Sequence, residues 1–240
     1  MDNRERLISI VIKNHGDYNK VRSDIVKGDY LKLDLIPNCL TVFDDEYPPC
    51  LMDLDNPPLV LFYKGDLRLL KKEKIGIVGS RQASDYAKNM TEILAKNKKE
   101  VIVSGMAKGI DYVAQSNAKK TIGVLGCGID YIYPACNKDL YTKVINEGLL
   151  LSEYPFDTKP YAYHFPFRNR IIAALSKEIF IMDIKQASGT MTTVNEGLKL
   201  GRDIKVLPYS LDNETSSFNN KLIYEGASII TKDDLYNWQI

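Results

Sequence analysis

The strongest constraint on the fold is a regular alternation of short apolar segments with longer amphipathic ones, beginning at residue 74. The apolar segments contain few polar side chains, whereas a strand with one solvated face would alternate apolar and polar residues. Such segments are typical of a parallel sheet that helices cover on both faces. The alternation therefore predicts an α/β fold with a doubly wound, mainly parallel, Rossmann-like sheet. The predicted strands lie at residues 74–79, 101–103, 121–125, 149–152, 178–182 and 204–207.

A different pattern precedes this alternation. Residues 1–44 contain short helical groups of apolar side chains separated by glycines, which predict a short helical N-terminal extension. A proline-punctuated connector at residues 47–58 and a short apolar strand at residues 59–63 follow. We therefore predict two parts, the helical extension at residues 1–44 and a Rossmann-like domain at residues 45–240.

Composition narrows the classes of function. The formal net charge is +1, so nucleic-acid binding would have to come from a local cationic patch. No apolar run approaches the ~20 residues of a membrane span, and the first residues lack a signal-peptide pattern. The four cysteines show no C-x-x-C spacing and only two histidines accompany them, which argues against a zinc site. We predict a cytoplasmic protein with reduced thiols, no metal, no cofactor and no membrane association.

Glycines, hydroxyl groups and cations follow four of the predicted strands, where each strand ends. In a doubly wound sheet, ligands bind beyond these carboxyl ends. Tight strand-to-helix turns would explain any one of the glycine segments, but they explain less well why cations accompany them. The pattern therefore predicts a ligand that carries phosphate. The segments are Gly79-Ser80-Arg81, Ser104-Gly105-Met106-Ala107-Lys108-Gly109, Gly126-Cys127-Gly128 and Ser188-Gly189-Thr190.

Residues 165–176 combine aromatic side chains with a predicted helix start. Arg168, Asn169 and Arg170 are expected at the first helical turn, where free backbone N–H groups and two guanidinium groups would favour an anion. An ordinary loop-to-helix junction, with its phenylalanines in the core and its arginines solvated, is the alternative interpretation. Four aromatic side chains are candidates for stacking on the bases of single-stranded nucleic acid: Tyr161, Tyr163, Phe165 and Phe167.

Other motifs with known chemistry are poorly matched. The phosphate-binding pattern G-x-x-x-x-G-K-[ST] is absent, and the third glycine of a dinucleotide fingerprint after Gly126-Cys127-Gly128 is replaced by Tyr131. Two histidines in unsuitable contexts do not support a Ser-His-Asp set. Asp111, Asp130 and Glu153 are candidates for acid–base work, but we favour roles for Asp111 and Asp130 in capping helices or holding loops.

The motifs at the strand ends and several further motifs follow one another in a fixed order. Each motif alone has modest specificity, but the ordered set is highly specific. The additional motifs are Tyr133-Pro134, Ser152-Glu153-Tyr154-Pro155, Phe165-Pro166 with Arg168-Asn169-Arg170, Gly201-Arg202 and Glu225-Gly226-Ala227. Together they closely resemble the DNA-processing protein DprA (Smf) family over roughly residues 45–230.

The resemblance implies a Rossmann-like domain that binds and protects single-stranded DNA and helps to load the RecA recombinase during natural transformation. It also implies a homodimer with no established catalytic activity. Carried over by motif, the positions implied to bind phosphate are Gly79, Ser80, Arg81, Gly105, Lys108, Arg168, Asn169 and Arg170.

Two other functions stay open at this stage. The first is a nucleotide phosphoribohydrolase of the lysine-decarboxylase-like (LOG) type, whose P-G-G-x-G-T motif is followed closely by a glutamate. Here the first glutamate after Ser188-Gly189-Thr190 is Glu196, so the expected carboxylate is missing. The second is a pure interaction protein, with a self-association face at residues 222–224 and at residues 235–240, which include Trp238.

Overall fold

The computed structural model describes residues 1–156, 158–185, 188–211 and 217–236, so Trp238 of the predicted association face lies outside the described residues. Within these ranges nine strands form one sheet. The strands are β1 (Cys39–Thr41), β2 (Val60–Gly65), β3 (Lys74–Gly79), β4 (Val101–Ser104), β5 (Thr121–Leu125), β6 (Leu149–Ser152), β7 (Glu178–Asp183), β8 (Asp203–Val206) and β9 (Ser228–Ile229). The α-helices of the same ranges are α1 (Asn3–Lys13), α2 (Tyr18–Lys27), α3 (Asp85–Asn97), α4 (Ile110–Asn117), α5 (Lys138–Glu147), α6 (His164–Leu175), α7 (Thr190–Lys199), α8 (Ser217–Tyr224) and α9 (Lys232–Tyr236).

The sheet has the predicted doubly wound form. Its spatial order is β1-β2-β6-β5-β4-β3-β7-β8-β9. The strands from β6 to β9 in this order pair in parallel, whereas β2 pairs antiparallel with both β1 and β6. The predicted α/β class with a mainly parallel sheet is therefore confirmed, and the antiparallel strands are confined to one edge.

Successive side chains of the central strands belong alternately to two separate cores, one on each face of the sheet. Val101 and Val103 of β4 belong to the core under α6 and α7, which includes Ile171. Ile102, between them, belongs to the opposite core with Leu94 of α3. Successive side chains of a strand point to opposite faces, so a strand covered on both sides must be apolar at every position.

The N-terminal helices pack against the antiparallel edge. Asp2 caps α1 through a reciprocal arrangement with Glu5, in which each side chain accepts a backbone N–H of the other residue. Ile8 of α1 shares a buried cluster with Phe62 of β2. Strand β1 lies N-terminal to residue 44 and is part of the sheet, so the division between the two predicted parts stays a prediction.

The chain reverses its winding direction at β3. The chain runs from β3 through α3 to the neighbouring β4, and it reaches β7 on the other side of β3 only after β6 and α6. Such a reversal leaves a crevice beyond the carboxyl ends of the central strands. The functional site is therefore expected beyond β3, β4 and β7.

Two further properties concern the described ranges as a whole. None of their helices is long and apolar enough to cross a membrane. Within these ranges no three or more His, Cys, Asp or Glu side chains are grouped to hold a metal ion.

Candidate nucleic-acid interface

A cleft of about 640 Å³ opens at the predicted crevice, and we name it the first cleft. Its walls come from the turn after β3, the turn after β4, the first half of α6 and the segment that leads into α7. Six of the ten predicted site residues line it: Gly79, Ser80, Arg81, Phe165, Arg168 and Asn169. The remaining four lie elsewhere, and Phe167 and Arg170 line a different cleft.

The turn after β3 is fixed by hydrogen bonds to β7 and within itself. The N–H of Ser80 donates to the carbonyl oxygen of Asp183 at 2.8 Å, and its Oγ accepts the N–H of Gln82 at 3.1 Å. The cap of α3 is Ser84, whose Oγ accepts the N–H of Ala87. Ser84 and not Ser80 therefore caps this helix, because the helix begins only at residue 85.

Arg81 presents an exposed cation at the rim of the first cleft. Its guanidinium lies 5.3 Å from the centre of the Phe165 ring. Tyr133, which was not predicted as a site residue, places its ring 5.5 Å from the same phenylalanine. The first cleft thus combines an exposed guanidinium with two aromatic rings, which suits a ligand that carries both phosphate and bases.

Gly109 lets two turns approach each other closely. Its φ is +74°, and a Cβ there would overlap the carbonyl oxygen of Ser80. The next N–H, from Ile110, donates to that same oxygen at 3.2 Å. A larger residue would separate the turns after β3 and β4, since this φ region and the contact both require glycine.

Arg168 is buried in the floor of the first cleft opposite Asp111. Its Nη1 donates to the carbonyl oxygen of Val124, while its Nε has no hydrogen-bond partner in the part of the chain that the structure describes. Burial lowers the pKa of Arg168. Burial raises the pKa of Asp111, and the charge of Arg168 opposes that rise. The buried Nε–H of Arg168 is thus a donor that the described protein leaves unpaired, which is costly in a buried site.

Asp111 and Gly105 support this arginine. The Asp111 carboxylate accepts the N–H groups of Gly105 at 3.1 Å and Ala107 at 3.4 Å, which confirms its interpretation as a residue that holds a loop. A Cβ at Gly105 would overlap the guanidinium of Arg168. Gly105 therefore makes room for Arg168 and uses its N–H inside the protein, so its contact with phosphate stays a prediction that this geometry does not favour.

Asn169 also acts within the protein. Its Nδ2 donates to the carbonyl oxygen of Gly189 at 2.9 Å and so fixes the segment before α7. Lys108 is exposed on the turn after β4 and does not line the first cleft. Sequence reasoning missed Lys185, which lies just after β7 and does line it. The strand-end argument selected Ser188-Gly189-Thr190 after this strand and passed over Lys185, although this lysine is the first cation beyond β7.

Arg170 is held entirely by the protein. Its Nη2 contacts both oxygens of Glu153 at 2.7 and 2.9 Å, its Nε donates to the carbonyl oxygen of Asn56, and its Nη1 donates to that of Phe167. The guanidinium lies 3.7 Å from the centre of the Phe167 ring. These contacts give Arg170 a structural role that also occupies Glu153, so its phosphate contact stays a prediction that they do not favour.

The position of the helix start explains this difference. Helix α6 begins at His164, four residues before the predicted start at Arg168. Pro166 is tolerated there because N–H groups of a first helical turn lack helical partners in any case. The two arginines therefore lie beyond the helix end that favours anions, and they point to different sides of α6.

The charge of the first cleft favours an anion. Among its described lining residues, three are cationic and one is acidic, since Arg81, Arg168 and Lys185 face Asp111. The start of α7 adds Gly189 and Thr190 to the wall, with the positive end of the helix dipole. This arrangement suits phosphate recognition better than acid–base chemistry, because its carboxylate is already bonded to two backbone N–H groups.

A second cleft of about 390 Å³ lies on the other side of α6, and we name it the second cleft. Phe167 and Arg170 line it together with Tyr163 and residues of α7. Glu196, the first glutamate after the Ser188-Gly189-Thr190 motif, lines the second cleft and not the first.

Comparison with known proteins agrees with the fold and the motifs. The family model of DNA recombination-mediator protein A matches residues 38–238. The chain is 41% identical over 197 residues to the DNA processing protein DprA of Streptococcus pneumoniae, covering 80% of this chain and 70% of that protein. The X-ray structure of S. pneumoniae DprA matches with a TM-score of 0.79 and 32% identity, over 99% of this chain and 94% of that one.

A structure of DNA processing protein A from Helicobacter pylori, solved for its single-stranded DNA binding mode, is also similar. It matches with a TM-score of 0.75 and 35% identity, over 82% of this chain and 92% of that one. Because the family model spans most of the sequence and the same relatives share the fold, the chain belongs to the DNA recombination-mediator protein A family, the DprA (Smf) proteins.

Proposed function

We propose that this chain binds single-stranded DNA in the first cleft, with a phosphate near Arg81 and Lys185 and a base against Phe165. The observation that carries the proposal is a cationic cleft, with a partly exposed aromatic wall, beyond the ends of β3, β4 and β7. The single-stranded DNA binding mode described for the H. pylori relative supports the same ligand. A cleft that contacts backbone phosphates and offers a ring for stacking to any base should bind single-stranded DNA with little preference for its sequence.

The predicted site residues divide into contacts and supports. Arg81 and Phe165 are proposed to touch DNA, and Arg168 is proposed to donate its free N–H to it. Gly79 and Ser80 shape the turn that presents Arg81, and Asn169 fixes the segment before α7. The exposed side chain of Lys108 would add a contact with the DNA outside the first cleft.

The wider role proposed here follows from family membership. The protein would protect incoming single strands and help to load RecA during natural transformation, as a cytoplasmic homodimer without catalytic activity. All four cysteines are free thiols, which fits a reducing compartment. In the predicted association face, Leu222 and Ile223 pack partly against the core, while Tyr224 is 91% exposed.

The phosphoribohydrolase alternative is not favoured. Such an enzyme would need a free carboxylate beside the phosphate site. The carboxylate among the described lining residues of the first cleft is Asp111, which holds a loop, and Glu196 faces the second cleft. Base release from nucleoside monophosphates, above the rate of an Arg81→Ala variant, would revive this alternative.

The test is fluorescence anisotropy of a labelled oligonucleotide, single-stranded and duplex, over a series of salt concentrations. We expect tight single-strand binding whose log affinity falls by about 0.7 per neutralised phosphate for each unit of log salt. Arg81→Ala should weaken single-strand binding at least about tenfold and lower this slope, because it removes one cation from the first cleft.

Arg68→Ala is the matched control, since Arg68 is an exposed arginine before β3, at the opposite end of that strand, and its loss changes the net charge equally. It should leave affinity close to that of the wild type. Equal losses in both variants, or no binding by the wild type, would overturn the proposal.

A further inference from the structure

The second cleft has the size and setting of a binding site. Its volume of about 390 Å³ falls within the range of about 300–1,000 Å³ that is usual for small-ligand sites. It lies between the first half of α6 and the middle of α7, against residues 54–56 of the proline-punctuated connector.

Aromatic rings form one wall of the second cleft. Tyr163 is 66% exposed and stacks on Tyr161, with ring centres 5.7 Å apart and planes inclined by 8°. Phe167 follows one turn later on α6, and Arg170 covers its ring. An exposed ring beside a cleft can extend its stack with a further planar group, as occurs in single-strand binding proteins.

The charges of the second cleft differ from those of the first. Lys199 lies 3.0 Å from Glu196 and 3.8 Å from Asp55, and the charge of Arg170 is balanced by Glu153. The described lining residues therefore carry no excess positive charge for a phosphate. The Glu196 carboxylate still has acceptor positions beyond the one that Lys199 uses.

The two clefts are neighbours along both helices. Pro166 of α6 lines both of them. On α7, Thr190 and Thr193 line the first cleft, whereas Thr192 and Glu196 line the second. A strand whose phosphate lies in the first cleft can therefore cross Pro166 and place a neighbouring nucleotide in the second.

We propose that the second cleft is a base-recognition subsite, which takes an unpaired base with an exocyclic amino group. The base stacks beside Tyr163 and its amino group donates to Glu196, as carboxylates accept from the amino group of cytosine elsewhere. Thymine has no such donor. This inference rests on the proposed function of the first cleft and adds a modest base preference to it.

The experiment compares labelled oligo(dC) and oligo(dT) of equal length by anisotropy, at mildly alkaline pH. We expect the wild type to bind oligo(dC) about threefold to tenfold more tightly, the effect of one partly exposed hydrogen bond. The double variant Glu196→Met/Lys199→Met removes one negative and one positive charge, so the net charge does not change. It should reduce the ratio of the two affinities to about one, with oligo(dT) affinity and its salt dependence unaltered.

Glu92→Met/Lys96→Met is the matched control, because it removes an exposed ion pair of α3 that borders neither cleft. This control should keep the preference for oligo(dC). Binding of both oligonucleotides with equal affinity by the wild type, or an unchanged ratio in the Glu196/Lys199 variant, would overturn the subsite while the first cleft still binds DNA. Failure of the wild type to bind either oligonucleotide would overturn the proposed function itself.

Discussion

Arg168 and Arg170 lie two positions apart on α6 and both are buried, yet they border different clefts on two sides of this helix. Arg168 borders the first cleft and keeps an unpaired N–H. Arg170 borders the second cleft, with a hydrogen bond from each of its three guanidinium nitrogens to the protein. One arginine therefore keeps a buried donor that the described protein does not pair, whereas the other uses all three guanidinium nitrogens within the protein.

The difference follows from helix geometry. Each residue of an α-helix turns by about 100°, so two residues two positions apart project about 200° apart. A sequence that reads Arg-Asn-Arg is a cationic cluster only if it is extended or lies at a helix start. In α6 the same three residues divide between two clefts and a contact with Gly189.

The largest expected effect concerns the ion pair between Arg170 and Glu153. Arg170→Met leaves Glu153 buried without its partner, and we expect the free energy of unfolding to fall by about 3–5 kcal/mol. Urea denaturation measures this loss, and oligonucleotide affinity of the folded fraction should change little. The variant Glu153→Leu/Arg170→Met should recover much of the stability, because no buried charge is left unpaired. Unchanged stability with lost DNA binding would make Arg170 a direct contact.

The variant Arg168→Met should lower both the affinity for single-stranded DNA and the free energy of unfolding. The free energy of unfolding should fall less than in Arg170→Met. Asp111 keeps its two backbone hydrogen bonds, so we expect a loss of about 1–3 kcal/mol and a roughly tenfold weaker binding of single-stranded DNA. Arg202→Met is the control, since Arg202 also has a buried Nε without a partner in the described chain and lies outside both clefts. Equal affinities of the two variants would place Arg168 outside the DNA contact.

A smaller effect tests the aromatic wall of the first cleft. Phe165→Leu keeps an apolar side chain but removes the ring beside Arg81, and we expect affinity to fall about threefold to tenfold. Phe165→Tyr retains the ring and should bind as the wild type does. Anisotropy with one labelled oligonucleotide measures all three proteins. A leucine variant with wild-type affinity would show that no base stacks there.

The smallest expected effect is a dependence of the free energy of unfolding on pH. Burial against Tyr154 lowers the pKa of His164, the first residue of α6. Below the ordinary histidine pKa of about 6.5 the unfolded chain binds more protons than the folded one, so stability falls as pH falls. We expect a loss of up to about 0.7 kcal/mol between about pH 7 and about pH 6, which His164→Phe should remove. Urea denaturation at both pH values would contradict this if the two proteins showed equal losses.

Most of the central sheet was predictable from the sequence. The six predicted parallel strands all occur, because strands covered on both faces are largely apolar and are therefore easily recognised. The short strands β1 and β9 were not predicted. They have two or three residues each, at opposite edges of the sheet, and a pattern so short carries little signal.

The candidate site was predictable in place but not in detail. Glycines and cations after the strands pointed to the crevice in which the first cleft lies, because the carboxyl ends of parallel strands lie at one edge of a sheet. Which of these residues face a ligand depends on partners distant in sequence. The guanidinium of Arg168 fills the space beside Gly105, and the guanidinium of Arg170 is paired with Glu153. Neither contact can be recognised from the local sequence.

The sequence alone determined the class of fold, the family and the edge of the sheet at which the first cleft opens. These follow from local properties: apolar periodicity, glycines at turns, and motifs in a fixed order. Tertiary structure decided the start of α6, the burial of both arginines and the division of their surroundings into two clefts. These depend on which side chains meet across the core, because a buried charge is retained only where the folded chain supplies its partner.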